Sequence, residues 1–154
     1  MSDLKRISPR DAKDLMDAGY TYVDVRSEPE FEAGHPAGSI NVPIAHMGPG
    51  GMTPNPDFVD VVDAALGKRA KIVVGCKSGG RSLRAAQALS AAGFTDVVDQ
   101  RAGWDGVRDP FGKVSEPGWS TEGLPAETGA TAGRTYDDVR ARATGATRKQ
   151  GRTL

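Results

Sequence analysis

The segment that most constrains the fold is Lys71-Ile72-Val73-Val74, an apolar run that passes into Gly75-Cys76-Lys77-Ser78-Gly79-Gly80 and then into an alanine- and leucine-rich stretch. A short, continuous apolar run reads as a strand buried on both faces, the signature of a parallel sheet. Parallel strands need crossover connections, usually helices. The residues from Arg81 to Ala92 supply one, and Gly93 closes it. A buried strand followed at once by a helix therefore predicts an α/β chain.

The flanks repeat the alternation. Ser8-Pro9 reads as N-cap and first helical position. Ala12, Leu15, Met16 and Ala18 follow at helical spacing, and Gly19 stops the helix. Thr21 to Val25 is β-rich and predicts a strand. Ser27, with Glu28 and Pro29, starts a short helix through Phe31 and Ala33. Ile40 to Val42 predicts a short strand ended by Pro43. Residues 47–56 predict a loop by their glycines and prolines. Asp57 to Leu66 predicts a helix with Phe58, Val61, Val62 and Leu66 on one face, and Thr95 to Val98 another strand. Strands alternating with helices imply α/β with a parallel sheet.

The pattern fades after about residue 105. Residues 1–108 read as one domain, and 109–154 as a Gly/Pro-rich, partly ordered extension ending in a basic tail. From residue 134 onward six cations (Arg134, Arg140, Arg142, Arg148, Lys149, Arg152) face two anions (Asp137, Asp138), a net +4. Tyr136 to Ala143 predicts a short helix. The whole chain carries 20 Lys+Arg against 20 Asp+Glu, which gives no general reason for nucleic-acid binding. A solvated tail is the simpler reading of its basic end. Glycine is abundant, 20 of 154 residues, but without the three-residue period of collagen. No apolar run nears the roughly 18 residues of a membrane span. The early charges Asp3, Lys5 and Arg6 leave no apolar leader, and one lone cysteine suits a reducing compartment, so a cytoplasmic location is expected.

Cys76 sits where the strand ends, the place at which open α/β sheets bind ligands. Loop N–H groups and the positive end of the following helix favour an anion there. Lys77 and Arg81 add two cations, and Gly79 and Gly80 permit a tight cradle. Such surroundings should lower the thiol pKa and make a reactive thiolate. A buried structural cysteine is the plainer alternative. Gly75 to Ser82 also fits G-x-x-x-x-G-[KR]-S, but Arg81 stands where a phosphate loop has Lys, and the strand comes late. Four residues separate Cys76 from Arg81. Cysteine-dependent phosphatases and arsenate reductases use five, so this shorter loop suits a smaller species such as a terminal sulfur.

Three stretches together resemble the rhodanese family. They are Val23-Asp24-Val25-Arg26 with Glu30-Phe31, then Gly34-His35-Pro36-Ala37-Gly38-Ser39-Ile40-Asn41-Val42-Pro43, then Cys76-Lys77-Ser78-Gly79-Gly80-Arg81-Ser82. The resemblance covers roughly residues 4–108 and implies a small parallel five-stranded sheet flanked by helices on both faces, with the extension irregular. It implies a sulfurtransferase in which Cys76 takes sulfane sulfur from an anionic donor such as thiosulfate and becomes a persulfide. Lys77, Ser78, Gly79, Gly80, Arg81 and Ser82 would form the cradle, and Arg26 would reach its mouth. The acceptor, a thiol or cyanide, would come from outside the chain, a partner protein included. Pro36-Ala37 departs from the family's usual Ile-Pro. The resemblance places Lys77 at a position that tunes donor choice in that family, where a cation suits an anionic donor. A cysteine phosphatase or arsenate reductase, and a non-catalytic sulfur-delivery or binding module, stay open as alternatives.

No cofactor or metal is assigned. His35, His46 and Cys76 give at most three ligands at no recognised spacing. His35 reads as a hydrogen-bonded structural residue, and Asp24–Arg26 has a structural ion pair as its simpler role. Trp104 reads either as a pocket wall or as packing, and Trp119 as an anchor for the extension.

Overall fold

The computed structural model describes residues 4–142. The tail cations Arg148, Lys149 and Arg152, and the Ala143 end of the expected last helix, lie outside the described residues. The elements run β1 (Lys5–Ile7), α1 (Pro9–Asp17), β2 (Thr21–Asp24), α2 (Glu28–Ala33), β3 (His35–Pro36), β4 (Ile40–Asn41), β5 (Ala45–Gly48), β6 (Gly51–Pro54), α3 (Phe58–Leu66), β7 (Lys71–Gly75), α4 (Gly80–Ala91) and β8 (Asp96–Gln100). Three short strands follow: β9 (Val107–Arg108), β10 (Val114–Glu116) and β11 (Ala126–Glu127). Residues 136–142 are helical.

Five strands form one sheet in the order β1-β8-β7-β2-β4. Every pairing in it is parallel, as the apolar run of β7 predicts. Side chains alternate across β7 with period two. Ile72 and Val74 enter a core with Phe58, Val61 and Val62 of α3 and Ala85, Ala86 and Leu89 of α4. Val73 enters a second core with Ile7, Ala12, Tyr22, Val98 and Trp119. Helices therefore cover both faces. Ser8 caps α1 as its sequence predicts, its hydroxyl accepting the Asp11 N–H at 3.1 Å. Gly67 ends α3 at φ +88°, a value that favours glycine.

Residues 47–56 depart from the loop their composition suggests. They lie largely in an antiparallel hairpin, β5 on β6, with Met47 opposite Met52 and Pro49-Gly50 at the turn. Its strands are mostly exposed, so backbone pairing holds them and no burial pattern marks them. The strand expected at Thr95–Val98 runs to Gln100, because the polar Asp99 and Gln100 are buried with side-chain partners. The fifth strand, β1, is three residues long and begins with two exposed cations, too short for a periodic signal.

Past residue 108 the chain wraps back on the sheet. β10 pairs with β9 and β11 with β3, both antiparallel. Trp119 is fully buried, edge-on to Tyr22 with ring centroids 5.5 Å apart. Tyr136 and Val139 enter the α3–α4 core.

Candidate active site around Cys76

β7 is the middle strand of the sheet, and it delivers Cys76 to the carboxyl end, only 3% exposed. The thiol shares the side of Ile72 and Val74, toward α4. The loop that follows is shaped by Gly79, whose φ of +106° makes it a left-handed N-cap of α4. A Cβ at Gly79 would collide with the carbonyl of Arg101. From this position the Gly79 N–H donates to Cys76 Sγ at 3.1 Å. The first-turn N–H groups of α4 have no carbonyl one turn below to bond. No acidic residue lies in that turn and no side chain caps it. The positive end of α4 thus meets the sulfur uncompensated.

The loop is braced from outside by residues 102–105. Trp104 N–H donates to Cys76 O at 2.8 Å and Asp105 N–H to Lys77 O at 2.9 Å. This close crossing requires Gly103, at φ +69°, because a Cβ there would strike the Lys77 and Cys76 carbonyls. Gln100 locks the brace, its Oε1 accepting the Ala102 and Gly103 N–H groups at 2.8 Å each. Gly75 is needed for a different approach, since any Cβ there would overlap the Tyr22 hydroxyl.

The residues singled out from sequence divide into two sets. Cys76, Gly79 and Ser82 converge: Ser82 Oγ lies 3.5 Å from the sulfur, within reach of its S–H. Lys77, Ser78 and Gly80 are exposed around them, and Lys77 Nζ stands 3.8 Å from Asp105. The two expected guanidinium ligands have protein partners instead. Arg81 grips Glu30 with both terminal nitrogens, at 2.7 and 2.9 Å. Arg26 is 3% exposed, bonded to both Asp24 oxygens and to Gly34 O, under the Trp104 ring at 5.2 Å.

Glu30 is the residue that sequence reasoning left unassigned at the site. Burial pushes its carboxyl up, but Arg81 and the Ser27 hydroxyl and N–H outweigh that and hold it down at about 2. The signal was present, since Ser27 and Glu30 have capping-box spacing, and the Ser27 N–H donates to Glu30 Oε1 at 3.0 Å. What the spacing cannot reveal is the second use of that carboxylate, across the fold on Arg81.

His35 is structural, as its sequence context predicts. It is fully buried, stacked on Phe31 at 3.7 Å, with its ring nitrogens on Phe31 O and Thr131 Oγ1. Pro36-Ala37, the departure from the usual family pattern, lies where the extension docks: Ala37 N–H donates to Pro125 O. Beside the loop, a cleft of about 690 Å³ opens between Ser78–Gly80 and Val107 and Ser115, with Arg6 and Arg101 among its walls.

This is a cysteine on a backbone cradle at the carboxyl edge of a parallel sheet. Comparison with known proteins defines the class: residues 8–109 match the Rhodanese-like domain family, and the chain belongs to that family. It is 44% identical over 116 residues to Thiosulfate sulfurtransferase 16, chloroplastic, of Arabidopsis thaliana, covering 75% of this chain and 87% of that protein. It is also 44% identical over 95 residues to the Senescence-associated protein DIN1 of Raphanus sativus, where the match covers 62% of this chain and only 52% of that protein. Among solved structures, that of Rv0390 from M. tuberculosis superposes with a TM-score of 0.68 at 28% identity, covering 81% of this chain and 98% of that one.

Proposed function

We propose that this chain is a sulfurtransferase that moves sulfane sulfur from thiosulfate, or a similar anionic donor, to a thiol or cyanide through a persulfide on Cys76. The observation that carries the reading is the Gly79 N–H on Cys76 Sγ at the uncapped start of α4. A cradle made of backbone N–H groups fits a single sulfur atom, and the name of the Arabidopsis relative points to the same chemistry.

In the first half-reaction the Cys76 thiolate attacks the outer sulfur of thiosulfate. A new S–S bond forms on Sγ, the S–S bond of the donor breaks, and sulfite leaves with the electron pair. The acceptor then attacks the outer sulfur, and the electron pair of the breaking bond returns to Cys76 as thiolate. This is covalent, ping-pong catalysis. Exposed Lys77 draws in the anionic donor. Arg26 and Arg81 serve as positioning residues, each fixing one wall of the site through its carboxylate partner. Cys76 is the chain's single cysteine, so the acceptor thiol is external. The unpaired thiol suits a reducing compartment. No helix among the described residues is long and apolar enough to cross a membrane.

The bidentate hold of Glu30 on Arg81 weighs against the phosphatase alternative. That guanidinium fork is the group that would have to bind a phosphoryl oxyanion, and both its ends are engaged. Initial rates with varied thiosulfate and cyanide test the proposal. Parallel double-reciprocal lines, with no hydrolysis of a small aryl phosphate, are expected. Aryl-phosphate hydrolysis that depends on Cys76 would transfer the site to the phosphatases, and turnover of neither substrate would leave a binding module.

A further inference from the structure

Behind the sulfur lies a buried carboxylate that the mechanism above does not use. Asp99, on β8, is fully buried, and its Oδ2 accepts from Arg6 Nε at 2.6 Å. Its Oδ1 is buried with no hydrogen-bond partner. A buried acceptor without a donor is costly and calls for an explanation. The neighbour able to supply one is Ser82, whose hydroxyl acts to pull the Asp99 carboxyl down and lies 3.5 Å from Cys76 Sγ.

The hydroxyl of Ser82 has one proton and a choice of acceptors. In the structure it lies 3.3 Å from Gly79 O. That carbonyl already accepts the Leu83 N–H at 3.2 Å and Arg6 Nη2 at 3.3 Å. A carbonyl oxygen has two lone pairs. The proton of Ser82 is therefore surplus at Gly79 and missing at Asp99 Oδ1.

We propose that Asp99 is a positioning residue that takes the Cys76 proton through Ser82. The S–H of Cys76 passes its proton to Ser82 Oγ as the Ser82 hydroxyl proton passes to Asp99 Oδ1. The products are a thiolate, an intact serine hydroxyl and a neutral carboxylic acid, so atoms and charge balance without solvent. When the acceptor releases Cys76 as thiolate, the same path returns the proton. Arg6 holds the carboxylate from the other side and, through Gly79 O, fixes the residue whose N–H cradles the sulfur.

The electrostatics agree with this role. Burial pushes the Asp99 carboxyl above its ordinary range, against the nearby Ser82 hydroxyl and the Arg6 hydrogen bond and charge, which pull it down. A carboxyl raised in this way is a better proton acceptor for a thiol. Arg6 from β1 is the charged group facing Asp99. Of the other groups whose charge acts on Cys76, Arg81 comes from α4 and Tyr22, from β2, packs on the opposite face of the sheet. Arg81 is paired with Glu30, and burial keeps the Tyr22 phenol neutral, so neither replaces Asp99 as an acceptor.

The proposal deepens the reading of Cys76 as nucleophile, and its test is independent of sulfur transfer. The rate of Cys76 alkylation by iodoacetamide is followed from about pH 5 to about pH 10 in the wild-type chain, Asp99→Asn and Ser82→Ala. The wild type is expected to show an acid-side stretch of pH-independent reactivity, where the internal transfer supplies thiolate. In both variants the rate should fall about tenfold per pH unit through that stretch and rejoin the wild type at high pH. A merely structural Asp99 would lower the rate at all pH values alike. A merely electrostatic one would do the reverse of the proposal, since removing an anion favours thiolate and speeds Asp99→Asn at low pH. Either result overturns it. If Asp99→Asn does not fold, Ser82→Ala decides alone, because it leaves the Arg6–Asp99 pair in place. A wild-type plateau lost in the variants, in a chain that never turns over thiosulfate, would sustain the relay and reject only the sulfurtransferase reading.

Discussion

The loop at Cys76 and the segment from 109 to 142 meet the same sheet by opposite means. The loop is held by backbone: Gly79 N–H on the sulfur, Trp104 and Asp105 N–H groups on the loop carbonyls, and Gly103 allowing the contact. Its own side chains contribute little packing, and several are exposed. The extension has short, mostly exposed strands and is held by a few large side chains, Trp119 in one core and Tyr136 in the other. Backbone cradles position atoms, whereas side-chain anchors supply burial. The two regions should therefore fail differently when perturbed.

Trp119→Ala gives the largest expected effect. Removing a fully buried indole that also donates to Pro125 O at 2.8 Å should cost about 3–5 kcal/mol. At this chain length that is a fall of about 10 °C in Tm. Activity per folded molecule should change little at low temperature, and a selective loss of kcat with unchanged Tm would break the distinction between the regions.

Gly103→Ala perturbs the loop instead. The new Cβ meets the Lys77 and Cys76 carbonyls and forces the brace away from the loop. Turnover should fall by about 100-fold, as for other misplacements of a reacting group, with a smaller loss of Tm than Trp119→Ala gives. Near-normal turnover would show that the cradle does not depend on this crossing.

The smallest effect concerns Glu30. Its carboxyl stands near 2 in the folded chain against an ordinary value of 4.5. A lowered carboxyl contributes stability that is complete above about pH 4.5 and is lost as pH falls toward 2. Tm measured across that acid range should decline more steeply in the wild type than in Glu30→Gln. Equal slopes would mean that the Arg81–Glu30 pair does not hold the loop wall.

The same contrast explains what the sequence revealed. β7, the Cys76 loop and α4 were legible because an apolar run, glycines and a helix pattern are local signals. The five-strand count came from family resemblance, since β1 is too short and too charged to show periodicity. Asp99 and Gln100 were hidden because a buried polar residue looks like a loop residue until its partner is known. Sequence spacing assigns Arg81 to an anion because its distance from Cys76 is local, while its partner Glu30 lies 51 residues away. The extension was recognisable as irregular, and Trp119 as its anchor, but the pairing of β11 with β3 is a long-range contact that no local pattern encodes.

Whether Cys76 on its backbone cradle carries sulfur can be read from intact mass before and after thiosulfate, beside Cys76→Ser. A gain of one sulfur atom is expected, removed by cyanide and absent from the serine variant. An unchanged mass with thiosulfate and other sulfane donors, or an equal gain in Cys76→Ser, would contradict it.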